Sequence, residues 1–141
     1  MKRLLVGVAV VAALGATPIV LQLTRSGAAA DSSVTTVELG IHYSRFNRNE
    51  IVVKAGTTVR FVVTNDDPIL HELIVGPPDV QQRHENGTEA AHPPRPGEVT
   101  IQPKSGATTE YRFDQPGSIE FACHLPGHHA YGMTGQVRVD P

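Results

Sequence analysis

A thiol, imidazoles and a thioether fall together near the C-terminus, in Cys123-His124-Leu125-Pro126-Gly127-His128-His129-Ala130-Tyr131-Gly132-Met133. A further imidazole, His71, follows the turn-forming run Asn65-Asp66-Asp67-Pro68-Ile69-Leu70. Two imidazoles and a thiolate in a trigonal set, with a weak axial thioether, make the ligand set of a blue-copper electron-transfer site. Soft sulfur suits Cu(I), and imidazole accommodates copper generally. Other chemistries weigh less. A lone Cys in a strand is usually a small buried hydrophobe, but the His and Met spacing argues against that here. A Cys–His nucleophilic pair would activate a thiolate, yet no protease-like signature surrounds Cys123. Zinc also accepts Cys and His. The single cysteine excludes an intramolecular disulfide framework, a multi-Cys zinc site and an iron–sulfur cluster.

These groups need a scaffold, and from Val34 onward the sequence describes one. Val37, Leu39 and Ile41 alternate with polar or small residues, Val59, Phe61 and Val63 with Arg60, Val62 and Thr64, and Tyr111 and Phe113, Ile119 and Phe121, and Val137 and Val139 flank a charged residue. Period-two alternation marks half-buried strands. Lys54-Ala55-Gly56, Asn65 to Pro68, Lys104-Ser105-Gly106 and Gln115-Pro116-Gly117 are turn signals between them. The spacing predicts seven or eight short strands in an all-β sandwich. Cys123 then ends one strand, and the next begins near Thr134. Residues 76–97 break the rhythm with five of the 11 prolines and predict a long loop. A short helical turn near Asp79–Glu85 fits inside it, with Pro78 or Asp79 near its start.

Within this frame the chain resembles the cupredoxins, the plastocyanin/azurin group of small blue-copper proteins. The matching pieces are Val53 to Phe61, Asn65 to His71, Phe121 to His128 and Gly132-Met133. Together they place the resemblance from about Val34 to Val139. The C-x4-H-x4-M spacing with Pro-Gly-His inside it is its most specific element. The resemblance implies a Greek-key β-sandwich and one type 1 copper ion. It also implies His71, Cys123 and His128 as equatorial ligands and Met133 as the axial one. Two departures stand out. Glu72 occupies a position where many members have Asn, so a carboxylate either enters the hydrogen bonding around the site or faces solvent. His129 offers a C-x5-H-x3-M register, but the residue after Pro-Gly matches the family's ligand. His124 is expected to face solvent.

The N-terminus bears on the compartment. Residues 4–23 carry no charge and follow Lys2 and Arg3, so the remainder is expected outside the cytoplasm. Ala28-Ala29-Ala30 supplies a small-x-small cleavage pattern. The run exceeds the usual signal core of about 7–15 residues and reaches the roughly 20 that a spanning anchor needs. Residues 1–30 are therefore read as a signal peptide or membrane anchor, with a marginal preference for the anchor. Residues 31–141 are the copper-binding domain. All 14 acidic residues but only nine of the 12 basic ones lie beyond residue 30, a net charge of −5 with His neutral. That argues against a nucleic-acid partner.

The expected function is single-electron carriage by a monomeric, exported domain that meets redox proteins transiently. The edge of His128 would be the electron port, amid Leu125, Pro126, Pro68 and Ile69. The alternative is copper storage, delivery or resistance. An enzyme is not expected: copper oxidases and nitrite reductases need further copper sites, and the chain has no His-x-His pair. His42, His84 and His92 remain over. If they converge they form a second, looser metal site; otherwise they are solvated surface histidines.

Overall fold

The computed structural model describes residues 34–87 and 92–141. The expected signal or anchor segment, including residues 4–23, lies outside the described residues. Among the described residues eight strands and one helix follow in the order β1 (Val34–Ile41), β2 (Glu50–Lys54), β3 (Thr57–Asn65), β4 (His71–Gly76), α1 (Pro78–Glu85), β5 (Glu98–Ile101), β6 (Gly106–Phe113), β7 (Gly117–Ala122) and β8 (Thr134–Asp140). They form two sheets, ordered β1-β3-β6 and β2-β8-β7-β4-β5. This is the predicted β-sandwich. Strands β1 and β3 run parallel, as do β2 and β8, while β3–β6, β4–β5, β4–β7 and β7–β8 are antiparallel.

The period-two residues face each other across the sandwich. Val59, Phe61 and Val63 of β3 are fully buried and pack in one cluster with Phe113 of β6 and Phe121 just before the end of β7. Burial of an apolar side chain contributes about 1.5–3 kcal/mol, so this shared face outweighs any local preference of the short strands. Strand β4 departs from alternation: Leu73, Ile74 and Val75 are all buried. Helix α1 supplies the reason. It lies over β4 and β7, so the face of β4 turned away from the sandwich is also covered.

The predicted loop over 76–97 therefore contains a regular element. Residues 78–85 form a two-turn helix, matching the short helical turn read from the sequence. Pro78 occupies its first turn, where the missing N–H costs nothing. Gln81 fastens the helix to the sheet: its side-chain amide donates to the carbonyls of Ile74, Gly76 and Glu120 at 3.3, 3.1 and 3.0 Å. Those bonds fix which end of Gln81 is the oxygen, and that oxygen points at His124.

Candidate metal centre

His71 is the first residue of β4, and the turn before it is built around Asn65. Asn65 donates to the carbonyls of Ile69 and Gln102 at 2.8 and 3.0 Å and accepts the Asp67 N–H at 2.9 Å. That bracing presents Asp67, four residues before His71, with its carboxylate buried. Its Oδ2 lies 3.0 Å from His71 Nε2. The backbone N–H groups of Tyr43 and Ser44 each donate to the same carboxylate at 2.7 Å. Both residues have positive φ, 50° and 52°, a conformation uncommon without glycine. Consecutive N–H groups in such a turn form an anion-binding concavity. Burial alone would raise the Asp67 pKa, but the N–H groups of Ser44 and Tyr43 and the His71 ring outweigh it and hold the value low.

The consequence reaches His71. A carboxylate only accepts, so Nε2 carries the ring proton and Nδ1 keeps its lone pair. His71 is fully buried, and among the described residues Nδ1 has no hydrogen-bond partner. Buried polar atoms are nearly always paired. An unpartnered imidazole lone pair beside a thiol is what a metal site looks like before the metal is counted.

The other groups come from the loop between β7 and β8. It folds back so that Cys123 N–H donates to the Met133 carbonyl at 3.1 Å, and Met133 N–H to the His128 carbonyl at 2.9 Å. Pro126 and Gly127 make its central turn: His128 N–H reaches the Leu125 carbonyl at 2.9 Å, and Gly127 has φ +84°. Pro followed by a positive-φ Gly is the signature of a type II turn. His128 leaves the turn with Nδ1 3.3 Å from Cys123 Sγ. One ligand atom each from His71, Cys123 and His128 lies within 4.8 Å of the others. The His71 and His128 rings stand 4.9 Å apart. Met133 is fully buried at the far end of the same loop.

Burial pushes the Cys123 thiol up to about 11, although the N–H groups of Glu72 and Leu125 work against the rise. Burial, and then the neighbouring His71, lower the His128 pKa. A cation-free site is thus arranged for a thiol and a neutral imidazole. A bound metal removes the thiol proton outright. A thiolate beside two imidazoles then fits copper better than a hard cation.

The remaining sequence expectations divide. His129 turns away from this centre, with Nε2 3.1 Å from Glu120 Oε1, so the geometry belongs to the His128 register. His124 does not face solvent. Its side chain is buried, Nδ1 meets Glu85 Oε2 at 2.8 Å and Nε2 meets Gln81 Oε1 at 2.6 Å. Helix α1, which brings both partners, was expected only as a turn. Glu72 is half-buried and enters the hydrogen bonding: its Oε1 accepts the His124 N–H at 2.9 Å and ties the loop to β4. His42 does not converge with His84 and His92. Its ring is largely exposed beside Tyr43, with Nδ1 4.0 Å from Asp67. Asp67 itself was read only as a turn residue. The available signal was its place four residues before His71 in a turn rich in acidic residues.

Comparison with known proteins points to copper. The family described as copper binding proteins, plastocyanin/azurin family, matches residues 34–140. The chain belongs to that family. Among curated proteins, this cupredoxin is 34% identical over 118 residues to the copper-resistant cuproprotein CopI of Rubrivivax gelatinosus, covering 82% of this chain and 72% of that protein. The CopI of Pseudomonas aeruginosa is 30% identical over 147 residues, covering 81% of this chain and 80% of that one. Among solved structures, auracyanin B aligns with a TM-score of 0.64 at 21% identity, over 76% of this chain and 89% of its own. Reduced auracyanin from Roseiflexus castenholzii aligns at 0.63 and 24%, over 78% and 99%. At those identities the two structures speak for the fold alone. The cupredoxin described here is thus a copper-binding protein, and its curated relatives are named for copper resistance rather than for electron carriage.

Proposed function

We propose that this cupredoxin is an exported copper-resistance protein that holds one type 1 copper ion at His71, Cys123, His128 and Met133. The observation that carries the site is the buried, unpartnered Nδ1 of His71 beside a thiol and a second imidazole. The names of the CopI relatives carry the physiological half, together with an N-terminal run suited to export. Copper would supply a one-electron couple held by sulfur and nitrogen donors. The chain does the rest. Asp67 keeps His71 in the ligating tautomer, Cys123 gives up its proton on binding, and the buried surroundings of His71, Cys123 and Met133 exclude water. We read the role as binding, without catalysis of its own.

Electron carriage remains a second reading on one specific observation. His128 is only half-buried, and Pro68, Ile69 and Pro126 are exposed near the start of β4 and on the ligand loop. Such a patch suits a small, transient docking interface.

The visible spectrum of the Cu(II)-loaded chain tests the site. An intense thiolate-to-copper band is expected, lost in Cys123→Ser and retained with a shifted potential in Met133→Leu, because the axial bond is long and weak. A colourless complex at full copper occupancy refutes the type 1 assignment. A deletion strain separates the two roles. Lost copper tolerance restored by the wild type but not by Cys123→Ser supports resistance; unchanged tolerance with impaired respiratory electron flow supports carriage.

A further inference from the structure

Outside the copper centre, two imidazoles meet one buried carboxylate. Glu98 opens β5, and its Oε2 lies 3.2 Å from His84 Nε2 and 2.9 Å from His92 Nε2. Glu98 and His84 are buried, and the His92 side chain is only 15% exposed. Three separate pieces of chain bring them together: the last turn of α1, the segment before β5, and β5 itself. Gly97 makes the approach possible. With φ +85°, it turns where a Cβ would stand 2.6 Å from the Val75 carbonyl oxygen and 2.7 Å from the Tyr111 ring.

Hydrogen bonding assigns the tautomer of His92. Its Nδ1 lies 2.7 Å from the Pro93 carbonyl oxygen, which can only accept, so Nδ1 carries a proton. The neutral ring then aims the Nε2 lone pair at Glu98 Oε2. A lone pair 2.9 Å from a buried carboxylate needs a proton or a metal ion between them. A ring N–H on a backbone carbonyl with the opposite nitrogen toward the cation is how ligating histidines are commonly oriented. Metal–ligand bonds near 2.0–2.1 Å imply donor–donor edges of about 2.9–3.4 Å in tetrahedral or octahedral shells. Both N–O separations, 3.2 and 2.9 Å, fall in that interval. The His84 and His92 rings meet at 80° with centroids 5.4 Å apart, so they converge on the carboxylate oxygen without stacking. Arg95 Nη1 stands 4.0 Å from the same oxygen, farther than either imidazole nitrogen.

We propose that His84, His92 and Glu98 form a second metal site, for a divalent cation of borderline hardness, Cu(II) ahead of Zn(II). Two neutral imidazoles and a carboxylate are a ligand set that zinc uses with an open position. The divalent affinity order places Cu(II) above Zn(II) in a nitrogen–oxygen set. A cleft of about 270 Å³ lined by His92, Glu98, Glu72 and Thr100 leaves room for water as a further ligand. The site has no sulfur donor, so it discriminates against Cu(I), unlike the Cys123 centre. It goes beyond the copper-resistance reading and does not depend on it.

Titration of the full-length chain with Zn(II) alone, and separately with Cu(II), tests the site. Wild type, His92→Ala and Glu98→Gln are compared; the latter keeps the buried shape while removing the charge. The wild type is expected to bind one equivalent more of each ion than either variant. Its extra Cu(II) should give an electron paramagnetic resonance signal with wide hyperfine splitting, absent from both variants. The thiolate-to-copper band should be the same in all three proteins. Because the comparison is a difference of one equivalent in Zn(II), it holds whether or not the Cys123 centre proves to be type 1. Equal stoichiometry in all three proteins overturns the proposal. So does an extra equivalent that survives both substitutions, which would put the cation elsewhere, for instance at Glu85, His124 and His129. Loss of the thiolate band together with the extra equivalent would make the two centres one site, and likewise overturns it.

Discussion

Asp67→Asn tests how a turn remote from the metal loop sets the chemistry of His71. The carboxylate accepts three bonds: Tyr43 N–H on Oδ1, and Ser44 N–H and His71 Nε2–H on Oδ2. An amide of the same shape has one acceptor oxygen and one donor nitrogen. If the nitrogen replaces Oδ1, it confronts the Tyr43 N–H. If it replaces Oδ2, it confronts Ser44 N–H and drives His71 to the other tautomer, with a proton on Nδ1. Either way at least one donor is left unsatisfied, at about 1–3 kcal/mol, and the surviving bonds lose their charge assistance. A total of about 2–4 kcal/mol follows. At roughly 4 °C per kcal/mol for a domain of this size, the metal-free protein should melt about 8–16 °C lower. Copper affinity should fall about 10–100-fold, the usual effect of removing a partner that orients a ligating histidine. Chelator competition measures the affinity and circular dichroism the melting. Affinity within twofold of wild type, at a clearly lower melting temperature, would show that Asp67 braces the fold without orienting His71.

Acid titration should bring the same pair of proteins together. Asp67 is held below its usual 3.8 in the folded state, so its contribution is present above that value and lost as pH falls through the folded one. The stability gap between wild type and Asp67→Asn, from urea unfolding of the metal-free chains, should therefore narrow below about pH 4; a gap constant from pH 6 to pH 3 contradicts the assignment. Cu(II) binding at pH 8 should release one thiol proton, because burial keeps Cys123 protonated to about 11; dilute-buffer titration reads it, and no release in wild type or equal release in Cys123→Ser refutes it. Gly135→Ala should destabilise by about 1–3 kcal/mol through overpacking. Its Cβ would collide with the Phe121 ring and stand 2.8 Å from the Asn49 carbonyl, and a melting temperature within 1 °C of wild type would contradict that packing.

Much of this protein is written locally. Strands such as β3 and β8 follow from side chains that alternate every second residue, because the pleat itself has that period. The Cys123–Met133 loop is equally legible: Pro126-Gly127 dictates its turn within four residues, and the turn decides which histidine meets the thiol. Relations between distant segments are of another kind. His124 is buried because Gln81 and Glu85 arrive from a helix some 40 positions earlier, and no local pattern around His124 announces them. Asp67 looks like any acidic turn residue until the strained Tyr43–Ser44 backbone closes on it. His84 and His92 could be suspected of sharing a cation from their place in one proline-rich stretch. Their third partner could not, since Glu98 is drawn to them by the register of β5 on β4, and the expected partner, His42, is left largely exposed beside Asp67. Local propensity sets the elements within a few residues, whereas a buried polar group must find its partners wherever packing brings them, and only the folded chain decides that.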